Sequence, residues 1–168
     1  MQSAFEAIYK ELDGIYNKAE TIYSVWASEV ARREVNRNYK EIKNRESTNY
    51  ELRLEFTGPS FRMRWLEVSF VRNGSKVIRL TKAIKATESG KHKLSQFKSA
   101  DEWELLLIKR VEDAFGIFRP QVKHLMKAHQ SLIMAAKLGN QKIETIEMKD
   151  RVESRKRSIK EIKESLRR

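Results

Sequence analysis

The sequence contains no cysteine, only two prolines and six glycines, and no long hydrophobic run. The absence of cysteine excludes disulfide bonds, thiol nucleophiles and thiolate zinc sites. The longest uncharged apolar runs, at 105–108 and 132–136, fall far short of the roughly 20 residues that a membrane-spanning helix needs. The first residues are acidic where a secretory signal is basic, so no signal peptide is predicted. We therefore expect a cytoplasmic protein that does not associate with a membrane.

The low content of proline and glycine predicts an ordered, helix-rich chain and argues against low-complexity disorder. A chain of 168 residues, 40% of them hydrophobic, is long enough for one domain with its own core. We predict an α+β fold with a single domain over 1–139 and a basic helical tail over 140–168.

Apolar residues recur every three or four positions through the first segment, which predicts one long amphipathic helix over 1–46. The apolar positions of its first half are Phe5, Ile8, Leu12, Ile15, Ala19, Ile22 and Trp26. Tyrosines at seven-residue intervals widen this stripe, which favours packing against the rest of a domain, although the spacing also suits a coiled-coil seam between subunits. A thinner stripe through Val35, Tyr39 and Ile42 continues the helix to the polar cluster at 47–49.

Apolar and polar residues alternate over 50–56, as in a strand with one face toward water. After a turn the alternation resumes and slips by one residue near Trp65, which requires either a bulge or burial on both faces. Asn73-Gly74 is a preferred dipeptide for a tight hairpin turn, because both central residues of that turn have positive φ. These signals predict a three-stranded antiparallel meander over 50–85, followed by a basic loop.

A capping box at Ser99 and Glu102 begins the next helical region, and apolar residues follow at core-facing spacing. Proline is favourable in the first turn of a helix and unfavourable inside one, so Pro120 predicts the start of a separate helix. Gly139 is a natural C-terminal cap. The complete prediction is a long N-terminal helix, the meander, two core helices over 99–139 and a basic C-terminal helical arm.

The sequence offers no arrangement of residues that is typical of catalysis or metal binding. It has no phosphate-binding loop, nucleophile elbow or metal-ligand spacing, so no catalytic residue, metal site or cofactor is predicted. The histidines are interpreted as ordinary core or surface residues: His92, His124 and His129. Neighbouring carboxylates are interpreted as partners of a helix dipole or as solvent-facing charges: Glu102 with Glu104, and Glu112 with Asp113. We expect a protein that is not an enzyme.

The chain has 35 Lys and Arg residues against 23 Asp and Glu residues. This excess of positive charge is concentrated in particular segments. Residues 1–31 contain 2 basic and 5 acidic side chains, whereas residues 50–98 contain 11 basic and 4 acidic ones. The last segment, 140–168, contains 10 basic and 6 acidic residues. A localised positive field is typical of a protein that binds a polyanion, and we favour nucleic acid as that partner. An ordinary basic surface is the alternative.

Basic residues of the meander are the main candidates for contact with DNA, because a two-stranded ribbon fits the major groove and guanidinium groups bind guanine edges or phosphates. Four project from the solvent-facing sides of the strands: Arg53, Arg62, Arg64 and Arg79. Four others flank the Asn-Gly turn or follow the third strand: Arg72, Lys76, Lys82 and Lys85. The loop adds Lys91 and Lys93, and the tail adds Arg155, Lys156 and Arg157. The alternative is that these charges only protect sheet edges and solvate the surface.

The order of motifs from Trp65 to about Leu132 also bears on function. It comprises the strand beginning at Trp65, Trp103-Glu104 at a helix start, Glu112 with Phe115, and Arg119 before Pro120. With these motifs the segment resembles the auxiliary mobilization proteins of the MobI family, which integrative and conjugative elements and conjugative plasmids carry. The resemblance implies a non-enzymatic factor that recognises the origin of transfer and helps to assemble the relaxosome, in which a separate relaxase nicks the DNA. It assigns no individual DNA contacts.

The resulting hypothesis is a sequence-specific protein that binds double-stranded DNA at the origin of transfer, with the relaxase or other relaxosome proteins as partners. The N-terminal helix would support a homodimer or contact the relaxase. Two alternatives are a protein–protein adaptor with coiled-coil-like helices and no DNA contact, and a regulator that binds RNA or DNA. Single-strand binders stack bases on exposed aromatic residues, whereas the apolar phases of Trp65 and Trp103 predict core positions.

Overall fold

The computed structural model of the chain describes residues 1–37 and 48–168. In these parts the elements are α1 (Gln2–Val35), β1 (Tyr50–Thr57), β2 (Ser60–Asn73), β3 (Lys76–Ile84), a 3-10 helix (Leu94–Gln96), α2 (Glu102–Leu138), α3 (Met148–Arg151) and α4 (Ile159–Leu166). The predicted α+β fold, with its long N-terminal helix and three-stranded antiparallel sheet, is confirmed. The predicted continuation of the first helix to residue 46, through Tyr39 and Ile42, lies outside the described residues.

The apolar stripe of α1 forms one side of the hydrophobic core. Phe5, Leu12, Ala19 and Trp26, all predicted to belong to the stripe, are buried. The Trp26 ring meets the Trp65 ring of β2 edge-on, with 5.6 Å between the ring centroids. Because the stripe is covered by the chain's own sheet and helices, these residues are not available for a coiled-coil seam with another subunit.

The sheet has the strand order β1-β2-β3, and both pairs of strands are antiparallel. The pairing of β1 with β2 is continuous from Tyr50 opposite Glu67 to the hairpin turn, without a bulge. Trp65 and Leu66 point to opposite faces, and both are buried. Burial on both faces of the sheet therefore accounts for the slip in the sequence pattern.

The turn between β2 and β3 lies one residue later than the sequence predicted. Asn73 pairs with Lys76, so Gly74 and Ser75 are the two central residues. Gly74 has a φ of 61°, which glycine adopts without the steric cost that a β-carbon would impose. A glycine at the first central position is typical of a type II′ turn, which also matches the twist of a hairpin.

The predicted pair of core helices is in fact one helix, α2, with Pro120 in its interior. An interior proline removes a backbone hydrogen bond and crowds the preceding turn, which costs about 3 kcal/mol. The helix continues because buried residues stay in phase on both sides of the proline, at intervals of seven: Ile108, Phe115, Val122, His129 and Ala136. Burial of this continuous stripe outweighs the local cost of the proline.

The basic C-terminal segment is helical over α3 and α4 and packs against the rest of the chain. Met148 is fully buried, and its backbone N–H donates to the Gly58 carbonyl at 2.8 Å. The Arg151 guanidinium forms an ion pair with Asp13 of α1 at 2.9 Å. The segment is thus attached both to α1 and to the turn between β1 and β2.

Candidate nucleic-acid interface

Strands β2 and β3 extend beyond the end of β1 as a two-stranded ribbon. β1 pairs with β2 only as far as Glu67, whereas β2 and β3 stay paired up to Asn73 and Lys76. Every residue over 69–83 is exposed. We refer to residues 68–83 as the ribbon. Because no third strand and no helix of the described residues covers it, the ribbon has the slim shape that can enter a groove of a nucleic acid.

The ribbon contains four basic residues and no acidic one. The predicted candidates Arg72, Lys76, Arg79 and Lys82 all belong to it. Arg79 pairs with Glu51 of β1, while the side chains of the other three have no ion-pair or hydrogen-bond partner among the described residues. The outermost part of the ribbon therefore carries positive charge that the described chain does not neutralise, and such charge attracts phosphates.

One face of the ribbon alternates apolar and cationic side chains. Phe70 lies opposite Arg79, and Arg72 lies opposite Val77. Residues two apart on a strand share a face, so Phe70 and Arg72 are neighbours along β2 and the same holds for Val77 and Arg79 along β3. We refer to these four residues as the arginine face.

The opposite side of the ribbon, which we call the aliphatic face, carries apolar side chains between Lys76 near the turn and Lys82 near the base. Val71 lies opposite Ile78, and Ser69 lies opposite Leu80. Val71, Ile78 and Leu80 are all exposed although they are apolar. The two faces of the ribbon therefore differ in the partners that they suit.

Three of the predicted arginines are bound by two glutamates of β1. Arg53 Nε lies 2.6 Å from Glu51 Oε1, and Arg64 pairs with Glu55. Glu51 also binds Arg79 of the ribbon. Partial burial raises the pKa of Glu51, but hydrogen bonds from Arg53 and Arg79 outweigh it and leave the pKa below its ordinary value. These ion pairs orient the arginines and neutralise part of their charge.

The remaining meander and loop candidates, Arg62, Lys85, Lys91 and Lys93, are exposed on β2 or after β3. Lys91 is the most constrained of them because its aliphatic stem packs over Gly116 of α2. A β-carbon at Gly116 would lie only 2.8 Å from Lys91 Cγ. The loop after β3 therefore follows the surface of α2.

A buried hydrogen-bond network joins α2 to the base of the ribbon. The Glu112 carboxylate accepts hydrogen bonds from Trp65 Nε1 at 2.8 Å and from the backbone N–H of His92 at 3.0 Å. Arg119 donates to both carboxylate oxygens, each at 2.8 Å. Burial raises the pKa of Glu112, but hydrogen bonds from His92 and Arg119 and the charge of Arg119 lower it to about 2. The ionised carboxylate fixes β2, the loop after β3 and α2 at one point.

Glu104 and Glu112 are both buried, which corrects their interpretation as ordinary dipole partners or solvent-facing charges. Glu104 does lie in the first turn of α2, where it accepts a hydrogen bond from Thr48. Burial raises its pKa to about 7. For Glu112, the signal that sequence reasoning missed is Arg119, because a spacing of seven places both residues on one face of a helix.

The family model of the MobI protein matches residues 15–133. This chain belongs to the MobI family. The match includes most of α1, the whole sheet with its ribbon, and α2 as far as residue 133, so it contains the Glu112 network. No curated protein and no solved structure matches the chain. Membership of the MobI family confirms the resemblance and indicates a role related to mobilization.

The basic tail cluster of this MobI-family chain follows the matched region, and α1 holds it in place. Glu20 accepts hydrogen bonds from the backbone N–H groups of Arg155 at 2.9 Å and Lys156 at 3.0 Å. The Lys156 ammonium donates to the Leu54 carbonyl of β1, and burial lowers the pKa of this lysine. Arg157 donates to groups of α4. Of these three candidates, Arg155 alone has a side chain without a partner in the described chain.

The tail and the ribbon meet at a cleft of about 700 Å³ in the MobI-family chain. Phe70 and Arg79 of the ribbon line one part of it, and Ser158 and Lys160 at the start of α4 line another. Lys160 thus adds a basic side chain to the surroundings of the arginine face.

Two histidines of this MobI-family chain, His92 and His129, are buried. His92 binds Glu112, and His129 Nε2 lies 3.1 Å from the Tyr9 hydroxyl in the core. Within residues 1–37 and 48–168, no histidine and carboxylate side chains are grouped to hold a metal ion. In the same part of the chain, no helix has the length and hydrophobicity to cross a bilayer.

Proposed function

We propose that this MobI-family chain is a non-enzymatic accessory factor that binds double-stranded DNA at the origin of transfer and assists relaxosome assembly. The family match supports the part of this proposal that concerns mobilization. The ribbon is the observation that carries the DNA-binding part, because it has four basic residues and no acidic one, and each of its residues over 69–83 is exposed. The positive charge of the ribbon attracts DNA phosphates, and a DNA groove accommodates a slim two-stranded ribbon.

The ribbon cations are the proposed primary contacts. Arg72, Lys76 and Lys82 have no ion-pair partner among the described residues, so their binding to phosphates breaks no ion pair there. Arg79 can contact Glu51 and a DNA phosphate at the same time. Each phosphate contact releases counterions, so four contacts give a slope of about −3.6 in the logarithm of affinity against the logarithm of salt concentration.

A second set of proposed contacts surrounds the base of the ribbon: Arg53, Arg62, Arg64, Lys85, Lys91 and Lys93. Arg155 extends this set on the tail. Lys156 and Arg157 bind groups of the protein itself, and we assign them to the attachment of the tail. Contacts of this kind position the protein on DNA, whereas base edges read by the ribbon would supply specificity.

A gel-shift titration tests the proposal with a duplex that carries the origin of transfer and with a scrambled duplex. The triple variant R72A/K76A/K82A should lower the affinity at least about tenfold and flatten the salt dependence. The matched control K127A/K137A/K142A also removes three positive charges, but two of them lie in the half of α2 that packs against the start of α1. It should leave the affinity within about twofold, because screening limits the effect of distant charges.

Each result of this titration decides one part of the proposal. Equal affinity for both duplexes would remove recognition of the origin, and absence of binding by the wild type would remove DNA binding altogether. Preferential binding of RNA or single strands would favour the alternative of a nucleic-acid regulator.

The aliphatic face favours a second candidate, a protein–protein adaptor without DNA contact. Exposed apolar side chains at Val71, Ile78 and Leu80 are typical of a surface that binds another protein. Light scattering together with the same gel shift separates the two functions, because an adaptor assembles with protein and does not retain DNA.

A further inference from the structure

The arginine face exposes large apolar side chains between its cations. Phe70 is 67% exposed and Val77 is 62% exposed. Each lies opposite an arginine, Arg79 and Arg72 respectively. Exposed apolar groups of this size mark an interaction surface, and the arginines favour a partner that carries negative charge.

A second copy of this chain is a poor partner for the arginine face. Two arginine faces placed together would oppose Arg72 and Arg79 of each copy, with no acidic residue of either ribbon between them. A DNA duplex is complementary instead, because its phosphates lie outside and its stacked bases offer an apolar interior.

We propose that Phe70 is a wedge that enters between two adjacent base pairs and bends the DNA. This inference rests on the proposed function and adds an architectural activity to it. Proteins that insert phenylalanine or leucine in this way unstack one base step and bend the duplex by about 20–90°. Steps such as TA and CA open most easily, so they are the expected positions of the wedge.

The surroundings of Phe70 suit this activity. Directly opposite residues on an antiparallel pair have β-carbons about 4.5–5.5 Å apart, so Arg79 can reach a phosphate beside the opened step. The Glu51 carboxylate and the Glu112 network anchor Arg79 and the base of the ribbon to the domain. An anchored ribbon can press against the base stack, whereas a loosely attached one would yield.

Two optical probes on an origin-of-transfer duplex test the wedge directly. Dyes at the two ends measure bending by energy transfer, and 2-aminopurine in place of adenine at TA or CA steps brightens when its base is unstacked. The variants are F70A, which removes the wedge, F70L, which keeps an apolar one, and V25S as a matched control at an exposed apolar position of α1, outside the ribbon. Circular dichroism verifies that each variant folds. A substitution at an exposed position should leave the fold unchanged.

The wild type, F70L and V25S should bend the duplex and brighten 2-aminopurine, and F70A should do neither. F70A should bind about tenfold more weakly, the loss expected for one aromatic contact with a base. Its salt dependence should be unchanged because every cation is still present.

Bending by F70A as strong as that of the wild type would overturn the wedge, and so would wild-type binding without bending. In both cases the proposed function would stand, since DNA is still bound. Retention of poly-L-glutamate without retention of the duplex would assign the arginine face to an acidic protein and overturn both proposals.

Discussion

Glu112 shows how a single carboxylate can organise several segments of a chain. Its oxygens receive donors from Trp65, from the His92 backbone and from Arg119, whose side chain is itself only 11% exposed. Loss of the carboxylate charge would leave the guanidinium buried without a counter-charge, and a broken buried pair typically costs 3–5 kcal/mol. The network is therefore expected to stabilise both the domain and the position of the ribbon.

Glu112→Gln should lower the free energy of unfolding at pH 7 by about 3 kcal/mol, as measured by urea denaturation. Asp113→Asn is the control, because the exposed Asp113 forms a surface ion pair with Lys109 and has no other partner among the described residues. The control should change the free energy by no more than about 0.5 kcal/mol. Equal effects of the two substitutions would contradict the role of the network.

The pKa of Glu112 also gives the sign of a pH dependence. The carboxyl has a pKa of about 2 in the folded chain and an ordinary value of 4.5. Its stabilising effect is therefore complete above about pH 4.5 and is lost as the pH falls toward 2. The difference in unfolding free energy between the wild type and Glu112→Gln should shrink over that range, and a constant difference would contradict it.

At the scale of elements, local periodicity predicted α1 and the first strand of the meander because each buries one face at regular intervals. α2 was harder, because Pro120 is a local signal for a new helix. The decisive information was longer in range, since Phe115 and Val122 lie one heptad apart across the proline and share a buried face. A rule about one residue was outweighed by the phase of its neighbours.

Pro120→Ala should raise the free energy of unfolding by roughly 1–3 kcal/mol, because alanine restores a helical N–H and removes ring crowding. Gln121→Ala at the adjacent exposed position is the control and should change little. Urea denaturation of both variants measures the difference. A loss of stability in Pro120→Ala would mean that the contact between the Pro120 ring and Gly90 contributes more than the missing hydrogen bond.

The ribbon was only partly predictable from the sequence. Alternation placed Arg72 and Lys76 beside a hairpin turn. Only the register shows that β1 begins opposite Glu67 and therefore does not pair with the ribbon. The ion pairs of Arg64 with Glu55 and of Arg79 with Glu51 depend on which strands meet, so sequence reasoning could not distinguish these bound cations from free ones. For the same reason it counted Lys156 as an available cation, although its ammonium binds the edge of β1.

At the scale of the whole molecule, the acidic start of the chain and its basic end are complementary. Asp13 binds Arg151, and Glu34 binds Lys163 at 2.6 Å. Glu20 accepts the backbone N–H groups of Arg155 and its successor. The acidity of α1 thus serves in part to attach the tail. The ribbon, by contrast, contains four basic residues and no acidic residue.

Attachment of the tail through Glu20 leads to a prediction about proteolysis. Glu20→Ala removes the acceptor of the two backbone N–H groups and should free the basic segment at 155–157, because a lost hydrogen bond to a charged group changes local opening about tenfold or more. Limited trypsin digestion followed by mass spectrometry should therefore show faster cleavage at 155–157.

Cleavage in the ribbon of the same molecules provides an internal standard, since none of the contacts described for Glu20 reaches it. Glu29→Ala is the matched control on α1, because Glu29 pairs only with the exposed Arg32 of its own helix among the contacts described. It should leave both cleavage rates unchanged. Equal cleavage at 155–157 in the wild type and Glu20→Ala would show that Met148 and Arg151 hold the tail without Glu20, and acceleration in the ribbon as well would indicate general destabilisation.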